Sequence, residues 1–346
     1  MKILYGIQTT GNGHIVRAKA MIKILRQMGH DVETILSGDS SKKILNADVF
    51  KPAQIKEGLT FVSDKGKVKY LQTLKESNLV KFYADVYTYK PNDVDLIITD
   101  YEPITARIAK RYKIPSIGIG HLYSFYYDVP ISDSSVIGKF VMQQFAPAQI
   151  PLGLHWHHFN QPILPPTIPD DVKPVKNIKK NKILVYLPFE NLASIKRMLK
   201  KIDDHHFYIY CNISKASDEG NLHLRPFSRK GFVKDLGECN GLVCNSGFSL
   251  ISEALHLGKK VLTKPLEAQT EQESNAMALE QLGLGTVVEK LKISDIRKWL
   301  LTDSPEPMNF PDVLMPLAEW ISKGEWDDYE SLVNRVWQTP VKTITK

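Results

Sequence analysis

The chain has 346 residues, more than twice the roughly 150 of one domain, so two domains of ordinary size are expected. With 43% hydrophobic and 24% charged residues it can bury sizeable cores, which excludes a disordered, collagenous or coiled-coil chain. Lys+Arg 45 against Asp+Glu 38 gives a net charge of +7, which suits an anionic partner such as a nucleotide, phosphate or acidic membrane surface; the basic residues are scattered and carry no nucleic-acid recognition motif.

In chain order, the apolar run Ile3 to Ile7 ends in Gly11-Asn12-Gly13-His14, the pattern of a buried parallel strand entering a glycine-rich turn. Ala18, Met21, Ile22, Leu25 and Met28 follow at helical spacing, Gly29 stops the helix, and Val32 to Leu36 is a second strand. Leu96 to Thr99, a helix over Ile104 to Arg111, and Ile114 to Gly118 continue the α/β alternation. Asp93-Val94-Asp95 precedes its strand instead of following one, so it reads as a turn and not as a metal-binding Asp-x-Asp. Val136, Ile137, Phe140, Val141 and Phe145 make an apolar face beside Lys139, suited to core packing or to a lipid acceptor. His155-Trp156-His157-His158 alternates across a strand with no Cys, Asp or Glu beside it, a structural pattern.

Five prolines between Pro162 and Pro174, then four lysines from Lys176 to Lys182, mark a linker that could also meet phospholipid headgroups. Ile183 to Leu187 restarts the rhythm, with further strands at Tyr208 to Cys211, Gly241 to Cys244 and Val261 to Leu262. Trp320 to Trp337 suits one final helix. The expected division is residues 1–164, a linker at 165–182, residues 183–317, and a C-terminal helix in 318–346 packing across both domains. Cys211, Cys239 and Cys244 are odd in number and lack metal-ligand spacing, which argues for a reducing compartment. No stretch approaches the ~20 apolar residues that span a bilayer, so a cytoplasmic protein is expected, with peripheral contact at the inner face of the membrane left open.

Two such domains place the C-terminal ends of two sheets at a shared cleft, where the chemistry should lie. The Gly11 to Gly13 loop is not a dinucleotide fingerprint, because Val16 stands where the third glycine belongs and Ser37-Gly38 ends the second strand. It does present His14, an imidazole suited to general-base work. Asp100, ending another strand, could orient that imidazole or could instead cap the following helix. In the second domain a strand ends at Cys244 and a helix begins near Gly247, so free amides and the Ser246 hydroxyl can hold a phosphate. Glu253, two turns on, could accept from two ribose hydroxyls, and the next loop offers Glu271, Gln272 and Asn275. The aromatics from Tyr123 to Tyr127 could stack on an acceptor or belong to the core.

The ordered run Ser246-Gly247, Ser252-Glu253-Ala254, Gly258-Lys259, Pro265, Glu271-Gln272 and Asn275-Ala276 resembles the donor half of the GT-B glycosyltransferases. The nearest group holds the MurG-type N-acetylglucosaminyltransferases and the UDP-glucuronosyl- and glucosyltransferases, with a glycosyltransferase family 28 C-terminal-type donor domain. Gly11-Asn12-Gly13-His14 with Arg17, and Asp100 to Pro103, resemble a little-described bacterial and archaeal branch. The resemblance implies a GT-B fold of two Rossmann-like domains facing an interdomain cleft and inverting transfer of a hexose from a nucleotide-diphosphate sugar, UDP first, to a hydroxyl acceptor such as a glycolipid or cell-surface glycan precursor. It implies His14 as base and Asp100 as its orienter, Phe232 and the Val233 backbone at the nucleobase, and Ser246, Gly247 and Phe248 at the diphosphate. It implies Glu253 at the ribose and Glu271 and Gln272 at the donor sugar; no cofactor is expected, and no metal is required where a helix end takes the leaving group's charge. Two alternatives stand beside it: a UDP-N-acetylglucosamine 2-epimerase-like isomerase and a non-catalytic nucleotide-sugar-binding protein.

Overall fold

The computed structural model describes residues 1–38, 47–59, 63–64, 67–68, 78–132 and 136–337. Two parallel sheets organise them. The first has strands β1 (Lys2–Gln8), β2 (Asp31–Ser37), β3 (Ala53–Lys56), then, after a short antiparallel pair β4 (Ser63–Asp64) and β5 (Lys67–Val68), β6 (Leu96–Asp100), β7 (Ser116–Gly120) and β8 (Ile150–Gly153), in the order β3-β2-β1-β6-β7-β8. All its pairings are parallel. The second has β9 (Lys179–Tyr186), β10 (His206–Tyr210), β11 (Ser217–Glu219), β12 (Leu222–Arg225), β13 (Cys239–Asn245), β14 (Lys260–Lys264) and β15 (Thr286–Val287), ordered β11-β12-β10-β9-β13-β14-β15. Only β11 runs antiparallel to its neighbour there.

Strand order reverses between β1 and β6 in the first sheet and between β9 and β13 in the second, and such switch points open crevices beyond the strand ends. The helices that matter at these crevices start directly after the strands: α1 (Asn12–Gln27) after β1, and, following α2 (Leu79–Thr88), α3 (Pro103–Tyr112) after β6. Helix α1 buries Ala18, Met21, Ile22 and Leu25 as its spacing predicts, and Gly29 takes the left-handed conformation (φ 86°) that ends it. Next come α4 (Val136–Phe145), α5 (Leu192–Leu199), α6 (Arg229–Glu238), α7 (Phe248–His256) after β13, α8 (Thr270–Gln281) after β14, α9 (Ile293–Leu300), α10 (Leu314–Lys323) and α11 (Tyr329–Val336).

Several expectations change. Strand β9 starts at Lys179, inside the expected linker, because Lys182 is drawn into the fold by Asp235 and Glu238 at 2.8 and 2.7 Å and lies over the Tyr208 ring. The single helix expected over Trp320 to Trp337 is two, broken at Gly324 with φ 75°. His155 to His158 forms no strand: His155 and Trp156 are both buried, and His157 and His158 each accept a backbone N–H two residues on, which turns the chain. Tyr123, Tyr126 and Tyr127 spend their hydroxyls on the carbonyls of Ala146, Gln143 and Pro151; Tyr123 and Phe125 are fully buried in the core, while the Tyr126 and Tyr127 rings stay partly exposed. Asp93 is a turn residue (φ 54°) and Asp95 accepts the Lys2 amide, so neither faces the crevice as a metal ligand. Of the apolar face on α4, Phe140 is exposed, Val141 partly buried and Phe145 buried; the side chains at 136–139 lie outside the described residues.

The two sheets share packing. One buried cluster runs from Ile3, Tyr5 and Ile7 of β1 through Trp156 and Phe248 to Leu317, Ile321 and Val336 of the last helices. Trp156 Nε1 donates to Ser252 Oγ at 2.8 Å, and Ser132 meets Glu273 and Ser274 on α8. Helix α10 lies on α1, where His30 Nε2 is 2.7 Å from Ser322 Oγ. Among the described residues no helix is long and apolar enough to cross a membrane.

Candidate active site

His14 is the third residue of α1, whose cap Gly11 offers no side chain to the first-turn amides. Its Nδ1 lies 2.6 Å from Asp100 Oδ1 at the end of β6. A carboxylate accepts, so Nδ1 carries the proton and the Nε2 lone pair is left for a substrate. Arg17, one turn further along α1, closes the group: Nε donates to Asp100 Oδ2 at 2.9 Å and Nη2 to Oδ1 at 2.5 Å. Burial raises the Asp100 carboxyl, but the Arg17 charge and the His14 contact outweigh it and hold the group below the ordinary carboxylate range.

Asp100 is free for this because another residue caps α3. Glu102 accepts from the Ile104 and Thr105 amides at 2.8 and 2.7 Å, from Thr105 Oγ1 at 2.7 Å and from Ser37 Oγ at 2.5 Å. Tyr101, at φ 53°, turns the chain between the two carboxylates so that one faces the crevice and the other the helix. Glu102→Ala leaves four donors without their acceptor and is expected to lower stability by about 2–4 kcal/mol, read as a shift in the denaturant midpoint at unchanged slope.

Across the crevice, α7 begins after Gly247, which again supplies no side-chain cap. The amides of its first turn therefore point outward as an anion-binding end. Ser246 does not contribute as expected. Its hydroxyl is buried against Thr263 Oγ1 at 2.9 Å, its amide donates to Gln272 Oε1 at 3.2 Å, and its carbonyl accepts from Asn275 Nδ2 at 2.9 Å. Gln272 Oε1 also takes the Leu266 amide, and Asn275 is fully buried with Oδ1 2.6 Å from His121 Nε2. The Gln272 carbonyl and all of Asn275 thus hold the turn instead of meeting a sugar. The Phe248 ring likewise turns into the interface, stacked on His121 at 3.9 Å and 1°, leaving only its backbone at the crevice. Glu271, in the first turn of α8, stays partly exposed.

Glu253 is not a solvated helix residue. It is buried, and Arg229 Nη1 stands 3.1 Å from both its oxygens. Burial pushes its carboxyl up to about 7, with Arg229 opposing the rise. Nearby, Phe232 packs edge-on to Tyr186 and Tyr210, and Tyr186 edge-on to Phe227, which is 55% exposed. Val233 is partly buried beside Phe232. Arg229 and Phe227 carry no helical or strand periodicity that would have marked them.

The two uncapped helix ends face each other. A Cβ placed on Gly13 would come 2.3 Å from Ser249 Oγ, the rotatable end of an exposed side chain, so the start of α1 lies close against the start of α7. An imidazole whose Nε2 has no hydrogen-bond partner among the described residues thus stands beside two neighbouring helix starts, with a buried carboxylate and an exposed aromatic in the second sheet's half.

Two parallel α/β sheets meeting at such a crevice define the GT-B glycosyltransferase fold. The model for glycosyl transferase family 1 matches residues 1–302, and the chain belongs to that family: it is a glycosyltransferase. No curated protein matches the sequence. Solved structures share its fold at low identity. The glycosyltransferase SnogD from Streptomyces nogalater is 16% identical, covers 97% of this chain and 99% of its own, and has a TM-score of 0.54. MurG of Acinetobacter baumannii is 15% identical over 98% and 94%, with a TM-score of 0.53. A UGT of Arabidopsis thaliana, solved with UDP, is 16% identical over 97% and 99%, with a TM-score of 0.51.

Proposed function

We propose that the protein transfers a hexose from a UDP-sugar to a hydroxyl acceptor with inversion at the anomeric carbon. The observation that carries this reading is the His14–Asp100 pair standing beside the uncapped, facing starts of α1 and α7. The acceptor oxygen attacks the anomeric carbon while His14 Nε2 takes its proton. The bond from that carbon to the β-phosphate oxygen breaks, and the departing diphosphate gathers charge where the helix amides point. Asp100 keeps the His14 tautomer and stabilises its cation.

Glu253 accepts from the ribose hydroxyls, Phe227 and Phe232 with the Val233 backbone border the base, and Glu271 reaches the donor sugar. Support for a nucleoside diphosphate also comes from relatives solved with UDP and with thymidine diphosphate. Residues 1–164 receive the acceptor and the second sheet, from Lys179 onward, the donor, the two being tied by the C-terminal helices. Three free, buried cysteines fit the cytoplasm, and exposed Phe140 is the part of the α4 face that a lipid-linked acceptor at the inner membrane surface would meet.

The test is UDP release from a panel of UDP-hexoses with pooled hydroxyl acceptors, wild type beside His14→Ala, with the product anomer read by NMR. A β-linked product from an α-linked donor is expected. A retained configuration, or release no faster than in the variant, overturns the reading.

A further inference from the structure

Arg229 opens α6 between two carboxylates that come from different parts of the chain. Nη1 straddles both oxygens of buried Glu253 at 3.1 Å each, while Nε and Nη2 clasp Asp171 at 3.0 and 2.7 Å. Asp171 lies in the segment joining the two sheets and is half exposed. Resting on the reading of Glu253 as the ribose-holding group, we propose that Arg229 is a positioning residue for the donor: clasped by Asp171, it holds the Glu253 carboxylate aimed at the ribose, so that nucleotide affinity depends on an ion pair outside the nucleotide's own contacts.

The geometry supports this in two ways. A single nitrogen equidistant from both oxygens occupies their inner side and leaves the outer lone pairs for two hydroxyl donors. The fork on Asp171 fixes that nitrogen, because a guanidinium bound through two N–H groups has little freedom left. The electrostatics set the stakes. Burial is the largest influence on Glu253 and pushes it up to about 7; Arg229 of α6 lowers it, and the Asp171 charge adds to the rise. A protonated Glu253 would present a donor where the ribose also presents donors. Binding to the ionised form therefore weakens as pH falls through about 7.

The experiment is calorimetric titration of the full chain with UDP-glucose between about pH 5.5 and about 8.5. Its diphosphate is esterified at both ends and keeps its charge there, unlike a terminal phosphate with a pKa of about 6. Arg229→Gln is expected to move the acidic limb of affinity to higher pH. A further rise of about one pKa unit cuts the ionised fraction at neutral pH from about a half to about a tenth, weakening binding about fivefold, and the gap to wild type narrows at the alkaline end. Arg229→Lys, which restores the charge but not the fork, is expected to return the limb toward its wild-type position.

Asp171→Asn is expected to move the limb the opposite way, because an anion has left, while affinity falls at every pH, because the clasp has gone. Glu253→Gln should bind weakly with no limb. A merely structural arginine would move no limb, and opposite shifts in two variants are not a stability effect. Wild-type affinity and limb in both Arg229→Gln and Asp171→Asn overturn the proposal while leaving the donor site standing. Should Arg229→Gln fail to fold, Asp171→Asn alone decides in the same way. A wild-type chain that binds neither UDP-glucose nor UDP overturns the donor-site reading itself, and the proposal with it.

Discussion

His14→Ala is expected to slow hexosyl transfer by about 10²–10⁴ with the affinity for UDP unchanged, as measured by turnover and calorimetry on the same preparation. The loss is confined to turnover because His14 belongs to the first sheet's end of the crevice, whereas the nucleotide contacts proposed for Glu253, Phe227 and Phe232 come from the second sheet. With its Nδ1 proton held by Asp100 at 2.6 Å, His14 keeps one nitrogen as a base and needs no rearrangement to use it. A variant that lost UDP binding in proportion to rate would place His14 in the donor site instead.

The second large effect is on the fold itself. Asp100→Ala removes the only carboxylate hydrogen-bonded to Arg17 among the described residues, and Arg17 is itself buried. A buried charge stripped of its partner costs about 3–5 kcal/mol, against the roughly 5–15 kcal/mol total of an ordinary domain. Asp100→Ala should therefore melt well below wild type, whereas His14→Ala, partly exposed and uncharged when neutral, should melt close to it. Replacing Arg17 and Asp100 together by apolar residues of similar volume should recover part of the lost stability and none of the activity, which separates the structural role of the pair from its role at His14.

Much of this architecture is legible in the chain because it rests on local physics. A strand that is buried on both faces writes itself as an apolar run, as in Ile3 to Ile7 and Ile183 to Val185, and a glycine-rich stop after it announces a crevice at the strand's end. That is why the positions of His14, Asp100 and the start of α7 at strand ends could be read before any coordinates. What the chain conceals is which polar partner a residue takes across long separations. Asp100 is the cap for α3 that residue type suggests, yet after the turn at Tyr101 it is Glu102 that takes that place. Ser246, Gln272 and Asn275 look like ligands because they are polar and near a crevice. Yet a turn buried between β13 and α8 must satisfy its own amide and carbonyl, and at Ser246 the Gln272 and Asn275 side chains do so. Arg17 carried a signal: it falls in register with Ala18 and Met21 on the buried stripe of α1, and a charge in that stripe demands a buried counter-charge. Arg229 carried none, since its two carboxylates lie 24 residues after it and 58 before.

The claim on which everything else stands is that the second sheet, with Glu253 and the first turn of α7, holds a nucleoside diphosphate. It is tested most directly by calorimetric titration with UDP, wild type beside Glu253→Ala. The account predicts a Kd on the order of micromolar for wild type and a loss of at least about tenfold in the variant, since two hydrogen bonds to a charged acceptor disappear. Equal affinity in the two proteins, or no binding of UDP by wild type, would contradict it.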